Sequence, residues 1–136
     1  YDKEHIVSHN QMKTLSQPIQ NADEILDYMT PDTEIVAIDE VQFFSDKVIE
    51  ICEQLADEGK RVIAAGLDQD YQGNPFGPMP KLLALAEYIT KNLAICVQCG
   101  NPANRTQRLI KNKEKVIVGT SDIYEARCRN CHEVIE

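Results

Sequence analysis

The stretch that decides the fold is residues 35–44, which read IVAIDEVQFF. Residues 35–39 form an apolar run that closes on Asp39, and such a run predicts a buried strand. Two adjacent carboxylates, Asp39 and Glu40, therefore stand at the carboxyl end of that strand. Open α/β sheets bind their ligands beyond the carboxyl ends of their strands, so the sequence predicts a ligand site here.

A strand–helix–strand pattern extends from this stretch. Apolar residues at helical spacing predict a helix that is capped by Ser45 or Asp46 and ends at Gly59. Residues 61–67, RVIAAGL, predict the next strand. This alternation implies an α/β fold with a parallel sheet and a right-handed crossover.

A Gly- and Pro-rich loop, DQDYQGNPFGPMP at residues 68–80, comes next and is long enough to predict a functional role. A helix at residues 81–90 and a strand at residues 93–97 are predicted after it. The composition then shifts toward Asn, Arg, Lys and Cys. We therefore expect an α/β domain at residues 1–93 and a smaller subdomain at residues 94–136.

The beginning of the chain carries little pattern. Residues 1–20 are polar, contain Pro18, and predict no helix or strand of their own. The chain also starts at Tyr1 rather than at Met. We expect it to be a fragment whose first part is missing.

Composition excludes several classes of protein. Hydrophobic residues make up 43% of the 136 residues, which argues against intrinsic disorder. The formal net charge of −8 argues against a surface that coats nucleic acid, because such binding depends on Lys and Arg. The sequence shows neither an apolar run of about 20 residues nor a signal peptide, so a cytoplasmic protein without a membrane partner is predicted.

Four of the five cysteines form two Cys-x-x-Cys pairs with 28 residues between the pairs. In a cytosolic chain this spacing predicts a structural zinc site with four thiolate ligands and no open coordination position. A segment with so small an apolar core also needs a metal to fold. The predicted ligands are Cys96, Cys99, Cys128 and Cys131.

Two alternatives stay open at the cysteines. The pairs could be unrelated redox-active or free thiols, and His132, beside Cys131, could replace one ligand. The fifth cysteine, Cys52, falls on the apolar face of its predicted helix and is interpreted as a core residue.

Five motifs in order make the chain resemble the type II thymidine kinases, the cytosolic, zinc-containing family. They are IDEVQFF, GLDQDYQGNPFGP, the paired Cys-x-x-Cys, RTQR, and VIVG followed by a tyrosine before the second cysteine pair. The resemblance implies a P-loop-type (RecA-like) parallel sheet flanked by helices, plus a small zinc-ribbon or lasso subdomain. It further implies transfer of the γ-phosphate of ATP to the 5′-hydroxyl of thymidine.

The resemblance also assigns roles at the acidic strand end. Glu40 matches the general base that accepts the proton of the 5′-hydroxyl. Asp39 matches the acid that anchors Mg²⁺, and the segment through Val41 and Gln42 borders the phosphate site of ATP. Phe43 matches an aromatic residue that flanks the thymine ring, for which a stacked contact is suited.

The rest of the nucleoside site is also implied by the resemblance. Tyr71 matches a second aromatic residue beside thymine, Thr106 falls where the family encloses the 5-methyl group, and Tyr124 packs on the nucleoside. A lasso reads the thymine edge with its backbone amides and carbonyls. The lasso residues are Lys115, Val116, Ile117, Val118 and Gly119.

The resemblance also implies partners: dTTP as a feedback inhibitor and a homotetrameric assembly. The phosphate-binding G-x-x-x-x-G-K-[ST] loop with which the family begins does not occur in these 136 residues. We therefore expect an N-terminally truncated chain that binds ATP poorly and is inactive by itself. Two rival interpretations remain: a zinc-ribbon nucleic-acid-binding module beside a non-enzymatic α/β domain, and a different P-loop phosphotransferase.

Overall fold

A computed structural model describes residues 5–7, 13–111, 114, 117 and 123–135 of the chain. These residues form a mixed α/β structure of short helices and two-stranded sheets. The helices are α1 (Glu24–Asp27), α2 (Lys47–Asp57) and α3 (Met79–Leu85). The strands are β1 (His5–Val7), β2 (Lys13–Leu15), β3 (Ile35–Ile38), β4 (Arg61–Ala64), β5 (Ala94–Ile95), β6 (Pro102–Ala103), β7 (Arg105–Arg108) and β8 (Tyr124–Arg127).

The prediction that the first 20 residues hold no strand is wrong. Strands β1 and β2 pair antiparallel, with His5 opposite Leu15 and Val7 opposite Lys13. Ile6 and Val7 are β-branched, and this type of side chain favours extended backbone. Each strand has only three residues, which is too short for an alternating pattern to be recognised in the sequence.

Strands β3 and β4 run parallel, as the strand–helix–strand pattern predicts. Arg61 N–H donates to Glu34 O. Four residues further along both strands, Ala65 N–H donates to Ile38 O. Burial alternates along β3, however, and Ile35 is 59% exposed. The prediction of a strand buried throughout is therefore wrong for one face, because successive side chains of a strand point to opposite sides.

Helix α2 owes its position to its apolar stripe and to the residue that ends it. The buried residues recur at helical spacing, and Cys52 is one of them, as predicted. Gly59 adopts a φ of 85° after the last turn, where its N–H donates to Ala56 O. Glycine reaches this left-handed conformation without the strain that a Cβ would add. The buried residues of α2 are Val48, Ile51, Cys52 and Leu55.

Three predicted boundaries differ from the structure. Strand β4 ends at Ala64 instead of residue 67, and the predicted strand at residues 93–97 is reduced to β5. Helix α3 begins at Met79 and ends at Leu85, earlier at both ends than predicted. Pro80 lies in the first turn of α3. The N–H groups of a first turn have no partner within the helix, so the N–H that proline lacks is not missed there, and the φ of proline suits a helix.

The described residues divide into two compact units. One contains the described residues up to Ala37 together with Phe44–Ile63, and the other contains Ile38–Phe43 and the described residues from Ala64 onward. The predicted boundary near residue 93 lies inside the second unit. No helix in the described part of the chain is long and apolar enough to cross a membrane.

Candidate active site and metal centre

The acidic end of β3 has an unusual backbone. Glu40 has a φ of 53°, and it is the one non-glycine residue with positive φ among those the structure describes. Asp39 Oδ1 accepts the Glu40 N–H at 2.9 Å, and both side chains are exposed. Left-handed backbone at a residue with a side chain is strained and concentrates at functional sites. The geometry therefore marks Glu40 as a residue held in place by its surroundings.

The Gln42 side chain is hydrogen-bonded to the Glu40 carboxylate. Gln42 Nε2 donates to Glu40 Oε2 at 2.5 Å, and Gln42 Oε1 accepts the Leu67 N–H at 3.1 Å. The Gln42 side chain is only 2% exposed, so both of its polar ends bind protein atoms. Val41 is fully buried, and its N–H donates to Ala65 O. Val41 and Gln42, which are predicted to border a phosphate, are thus buried as whole residues in this structure.

Two glycines leave room for Gln42. A Cβ at Gly66 would lie inside contact distance of Gln42 Oε1, and a Cβ at Gly77 would collide with Gln42 O. Gly77 also has a φ of 50°, which itself favours glycine. The sequence contains both glycines within GLDQDYQGNPFGP, but nothing in their spacing indicates that they accommodate Gln42.

We expect Gly66→Ala to destabilise the protein by about 1–3 kcal/mol, because the added methyl group displaces the buried Gln42 amide. Chemical denaturation measures this cost. A double-mutant cycle with Gln42→Ala supplies the control, since removing the Gln42 amide removes the collision. If the costs of the two substitutions simply add, Gln42 is not the group that Gly66 accommodates.

The loop at residues 68–80 is folded around a buried carboxylate. Asp70 is 4% exposed, and its Oδ1 accepts the N–H groups of Gln72 and Asn74, both at 3.0 Å. Its backbone N–H donates to Asn74 O, which closes the turn. These bonds explain how a Gly- and Pro-rich segment takes one conformation.

Phe43 meets this loop through an aromatic pair. The rings of Phe43 and Phe76 lie 5.6 Å apart at an interplanar angle of 89°, an edge-to-face arrangement. Phe76 is buried, whereas Phe43 is 56% exposed. Phe44, which follows it, is half-buried. Of the two rings in this pair, Phe43 is thus the one with a surface available to a ligand.

Tyr71, in the same loop, contacts Arg108 of β7. The Arg108 guanidinium carbon lies over the Tyr71 ring, 3.5 Å from its centroid, and 5.7 Å from the centroid of Tyr124. Arg108 Nη2 also donates to the Tyr124 hydroxyl at 3.2 Å. The structure therefore gathers two predicted nucleoside contacts around an arginine to which the sequence analysis gave no role.

The described part of the predicted lasso also reaches this cluster. The Tyr124 hydroxyl donates to Ile117 O at 3.0 Å, and Ile117 N–H approaches the same hydroxyl at 3.2 Å. Thr106 is half-buried on β7 and lies opposite Ala126 of β8. Alternation along a strand places Thr106 on the same face as Arg108. The other predicted lasso residues, Lys115, Val116, Val118 and Gly119, lie outside the described residues.

The remaining residues of β7 bind other segments. Gln107 is fully buried, donates through Nε2 to Glu133 O at 2.7 Å, and accepts the Glu133 N–H at 2.8 Å. Arg105 Nη1 donates to Gly73 O at 3.5 Å. The resemblance assigns a role in RTQR only to its threonine, Thr106. Three long polar side chains in a four-residue strand are a signal that the strand is a hydrogen-bonding centre.

The four paired cysteines form one cluster, as predicted. Their sulfur atoms all lie within 4.8 Å of one another, and Cys99 Sγ and Cys128 Sγ are 3.6 Å apart. Zinc–sulfur bonds of about 2.3 Å separate tetrahedral sulfurs by about 3.8 Å, so the cluster fits a structural metal such as zinc. Cys96 and Cys128 are buried together with Ala103. The four residues are free cysteines rather than disulfides.

Backbone amides lower the pKa values of two of the clustered thiols and so favour the thiolate form that binds a cation. A hydrogen bond from the backbone of Cys128 lowers the pKa of the Cys96 thiol to about 6, and the backbone of Cys131 lowers the pKa of Cys128. Hydrogen bonding to Cys128 raises the pKa of Cys131 to about 12. Thiolates so close together repel one another, and a bound dication would allow all four to ionise.

His132 binds backbone groups outside the sulfur cluster, so the alternative that it replaces a cysteine ligand is not supported. Its Nε2 donates to Tyr71 O at 2.7 Å, while its own N–H donates to Cys128 O. The cluster of possible metal ligands in the described residues contains the four cysteines alone. His132 thus joins the second cysteine pair to the loop that carries Tyr71.

The predicted site residues fall into two contact groups and the metal cluster. Asp39, Glu40 and Gln42 form the first group at the end of β3, and Tyr71, Tyr124 and Ile117 form the second around Arg108. The loop at residues 68–80 contributes to both sides, with Phe76 against Phe43 and with Tyr71 against Arg108.

A comparison with known protein families finds a match that spans nearly the whole chain. A family model described as thymidine kinase matches residues 1–132. The matched range includes the acidic strand end, the loop at residues 68–80, strand β7 and all four clustered cysteines.

Proposed function

Because the chain belongs to the thymidine kinase family, we propose that it transfers the γ-phosphate of ATP to the 5′-hydroxyl of thymidine, giving dTMP and ADP. Family membership implies a kinase whose substrates are a nucleoside and ATP. The observation that carries the specific reaction is the Glu40 carboxylate, placed at a strand end by a strained backbone and a buried glutamine.

Glu40 is the general base of this proposal. Gln42 donates to Oε2, and we assign Oε1 to accept the proton of the 5′-hydroxyl as that oxygen attacks the γ-phosphorus. A carboxylate held on one side by an amide keeps its other oxygen in a defined direction. Such positioning matters because a misplaced base loses much of its effect.

Asp39 supports the same reaction as the acid that would hold Mg²⁺. It is exposed at the strand end and offers carboxylate oxygen, the ligand type that Mg²⁺ prefers. When bound, the ion neutralises charge on the transferring phosphate. Val41 and Gln42 follow the two acids of the strand end directly in the chain, and the proposal keeps them as the segment that borders that phosphate.

Phe43, Tyr71, Thr106 and Tyr124 form the proposed nucleoside site. Exposed or half-buried aromatic rings suit a flat base, which gains apolar contact on its faces. Ile117 and the remaining lasso residues would read the edge of thymine through their backbone groups. The proposal extends to dTTP as an inhibitor at this site, to a homotetramer, and to a cytoplasmic location.

Zinc is the metal we propose for the four cysteines, in a structural role. Four protein thiolates complete a tetrahedral set and leave no position for a reacting water. The residues that would hold it also bear on the nucleoside site, because His132 next to Cys131 bonds to Tyr71 O.

Ligand-induced thermal stabilisation of the complete protein tests this function. Thymidine at about 100 times its Kd should raise the Tm by roughly 5–10 °C, whereas deoxycytidine should leave it unchanged. Single-stranded DNA serves as the control for the nucleic-acid-binding alternative, which the net charge of −8 disfavours. Stabilisation by DNA but not by thymidine would replace the kinase proposal with that alternative.

A further inference from the structure

Arg108 places a positive charge in an almost fully buried position, with 1% of the residue exposed. Arginine is seldom buried to this extent unless hydrogen bonds and partner groups compensate for the loss of water. Arg108 has such partners: Nη1 donates to Glu114 O at 2.5 Å and Nη2 donates to the Tyr124 hydroxyl at 3.2 Å. Its environment is therefore built around the guanidinium.

The same guanidinium covers one side of Tyr71. Its central carbon lies 3.5 Å from the centroid of the ring, which is close contact for a stacked cation. A ring with one face covered offers its opposite face and its edge to any other flat group. Arg108 thus decides which side of Tyr71 is available and fixes the plane in which the ring lies.

Tyr124 extends the influence of Arg108 to a third segment. The hydroxyl that accepts the Arg108 hydrogen bond is the one that contacts both the N–H and the carbonyl of Ile117. Glu114, three residues earlier, is bonded to Arg108 directly through its carbonyl. The carbonyl of Glu114 is thus bonded to Arg108 directly, and the backbone groups of Ile117 are linked to it through the Tyr124 hydroxyl.

The backbone of Arg108 is held in the paired strand β7. Arg108 lies opposite Tyr124 in the β7–β8 pairing, and its neighbour Gln107 is fully buried with three hydrogen bonds to the backbone. A side chain on a paired strand is positioned more precisely than one on a loop. Arg108 thus lies on a paired strand, whereas Tyr71 lies in a loop.

We propose that Arg108 is the positioning residue of the nucleoside site: it orients the Tyr71 ring and holds Tyr124, Glu114 and Ile117 around the base. The proposal rests on the proposed thymidine kinase function and deepens it. Arg108 acts through these residues and stays beneath Tyr71, without itself touching the nucleoside. Its loss should therefore weaken thymidine binding selectively, while binding of ATP and the chemical step continue.

Steady-state kinetics of the complete protein test this with Arg108→Gln and Arg108→Lys. We expect Arg108→Gln to raise KM for thymidine about tenfold or more, while KM for ATP and kcat stay within about twofold of wild type. Arg108→Lys keeps the charge but lacks the flat fork that stacks and donates in two directions, so its KM should also rise, by less. Arg61→Gln, an exposed arginine on β4, should match wild type.

The outcomes separate the two proposals. A wild-type protein that binds no thymidine overturns the kinase function itself. If wild type binds thymidine and both Arg108 variants keep its KM, the positioning role is wrong. Equal rises in KM for thymidine and ATP would show a general structural role and would overturn it too. Should Arg108→Gln fail to fold, the KM of Arg108→Lys decides alone.

Discussion

Replacing Glu40 with Gln in the complete protein is expected to lower kcat about 10²–10⁴-fold while leaving the Kd for thymidine nearly unchanged. The amide has almost the same shape as the carboxylate but cannot accept the proton of the 5′-hydroxyl. Proton transfer belongs to the transition state, so its loss affects turnover more than binding. Gln42 Nε2 can still donate to the amide oxygen of the new side chain, which keeps the local geometry close to that of Glu40.

Turnover assays combined with calorimetric thymidine binding measure both quantities on one preparation. Glu53→Gln is the matched control, because Glu53 is an exposed acid on α2, outside the second unit that contains the site. It should leave kcat and Kd unchanged. A kcat within about threefold of wild type for Glu40→Gln would remove the general-base role from Glu40.

The second large effect is expected for Cys96→Ser, which should reduce bound zinc from one ion per chain to none. Cys96 is the most buried of the four clustered cysteines, and its N–H donates to Asn101 O within the turn that carries Cys99. Structural zinc sites contribute roughly 10–16 kcal/mol of binding free energy in small zinc domains, so losing a ligand should unfold the surrounding segment.

Metal analysis by mass spectrometry and the Tm together measure this effect. Cys52→Ser is the matched control: Cys52 is also a buried free cysteine, but it lies on α2 and outside the cluster. That variant should lose some stability and keep its zinc. Retention of one zinc per chain by Cys96→Ser would show that the ligands have been assigned wrongly.

The features that sequence reasoning placed correctly are those with a local chemical signal. Each short Cys-x-x-Cys turn brings two sulfurs to one point whatever the rest of the chain does. The meeting of the two pairs in one cluster, across 28 intervening residues, was predicted from the need of zinc for four ligands. The apolar stripe of α2 and its glycine terminator were equally local. Each of these signals occupies fewer than a dozen consecutive residues.

Features that depend on distant partners could not be predicted in this way. The role of Gln42 depends on Leu67 and Gly66, which come more than twenty residues later in the chain. The stacking of Arg108 on Tyr71 joins β7 to a loop residue that lies 37 positions earlier in the chain (108 − 71). A sequence motif identifies such residues, but it does not show which side chains contact each other.

Strand ends and the amino-terminal hairpin were missed for another reason. Runs such as residues 61–67 are apolar enough to continue a strand, but the hydrogen-bonded neighbour decides where pairing stops, and β4 ends at Ala64. In β1 and β2 three residues each suffice, because the two strands pair with one another.

Three side chains of β7 bind main-chain atoms of other segments. Arg105 reaches Gly73 O, Gln107 binds both backbone groups of Glu133, and Arg108 bonds to Glu114 O. A carbonyl or amide is present whatever side chain it carries. The side chains at positions 114 and 133 take no part in these contacts, which depend instead on Arg105, Gln107 and Arg108. Substitution of these three residues is therefore expected to disturb the contacts more than substitution at positions 114 and 133.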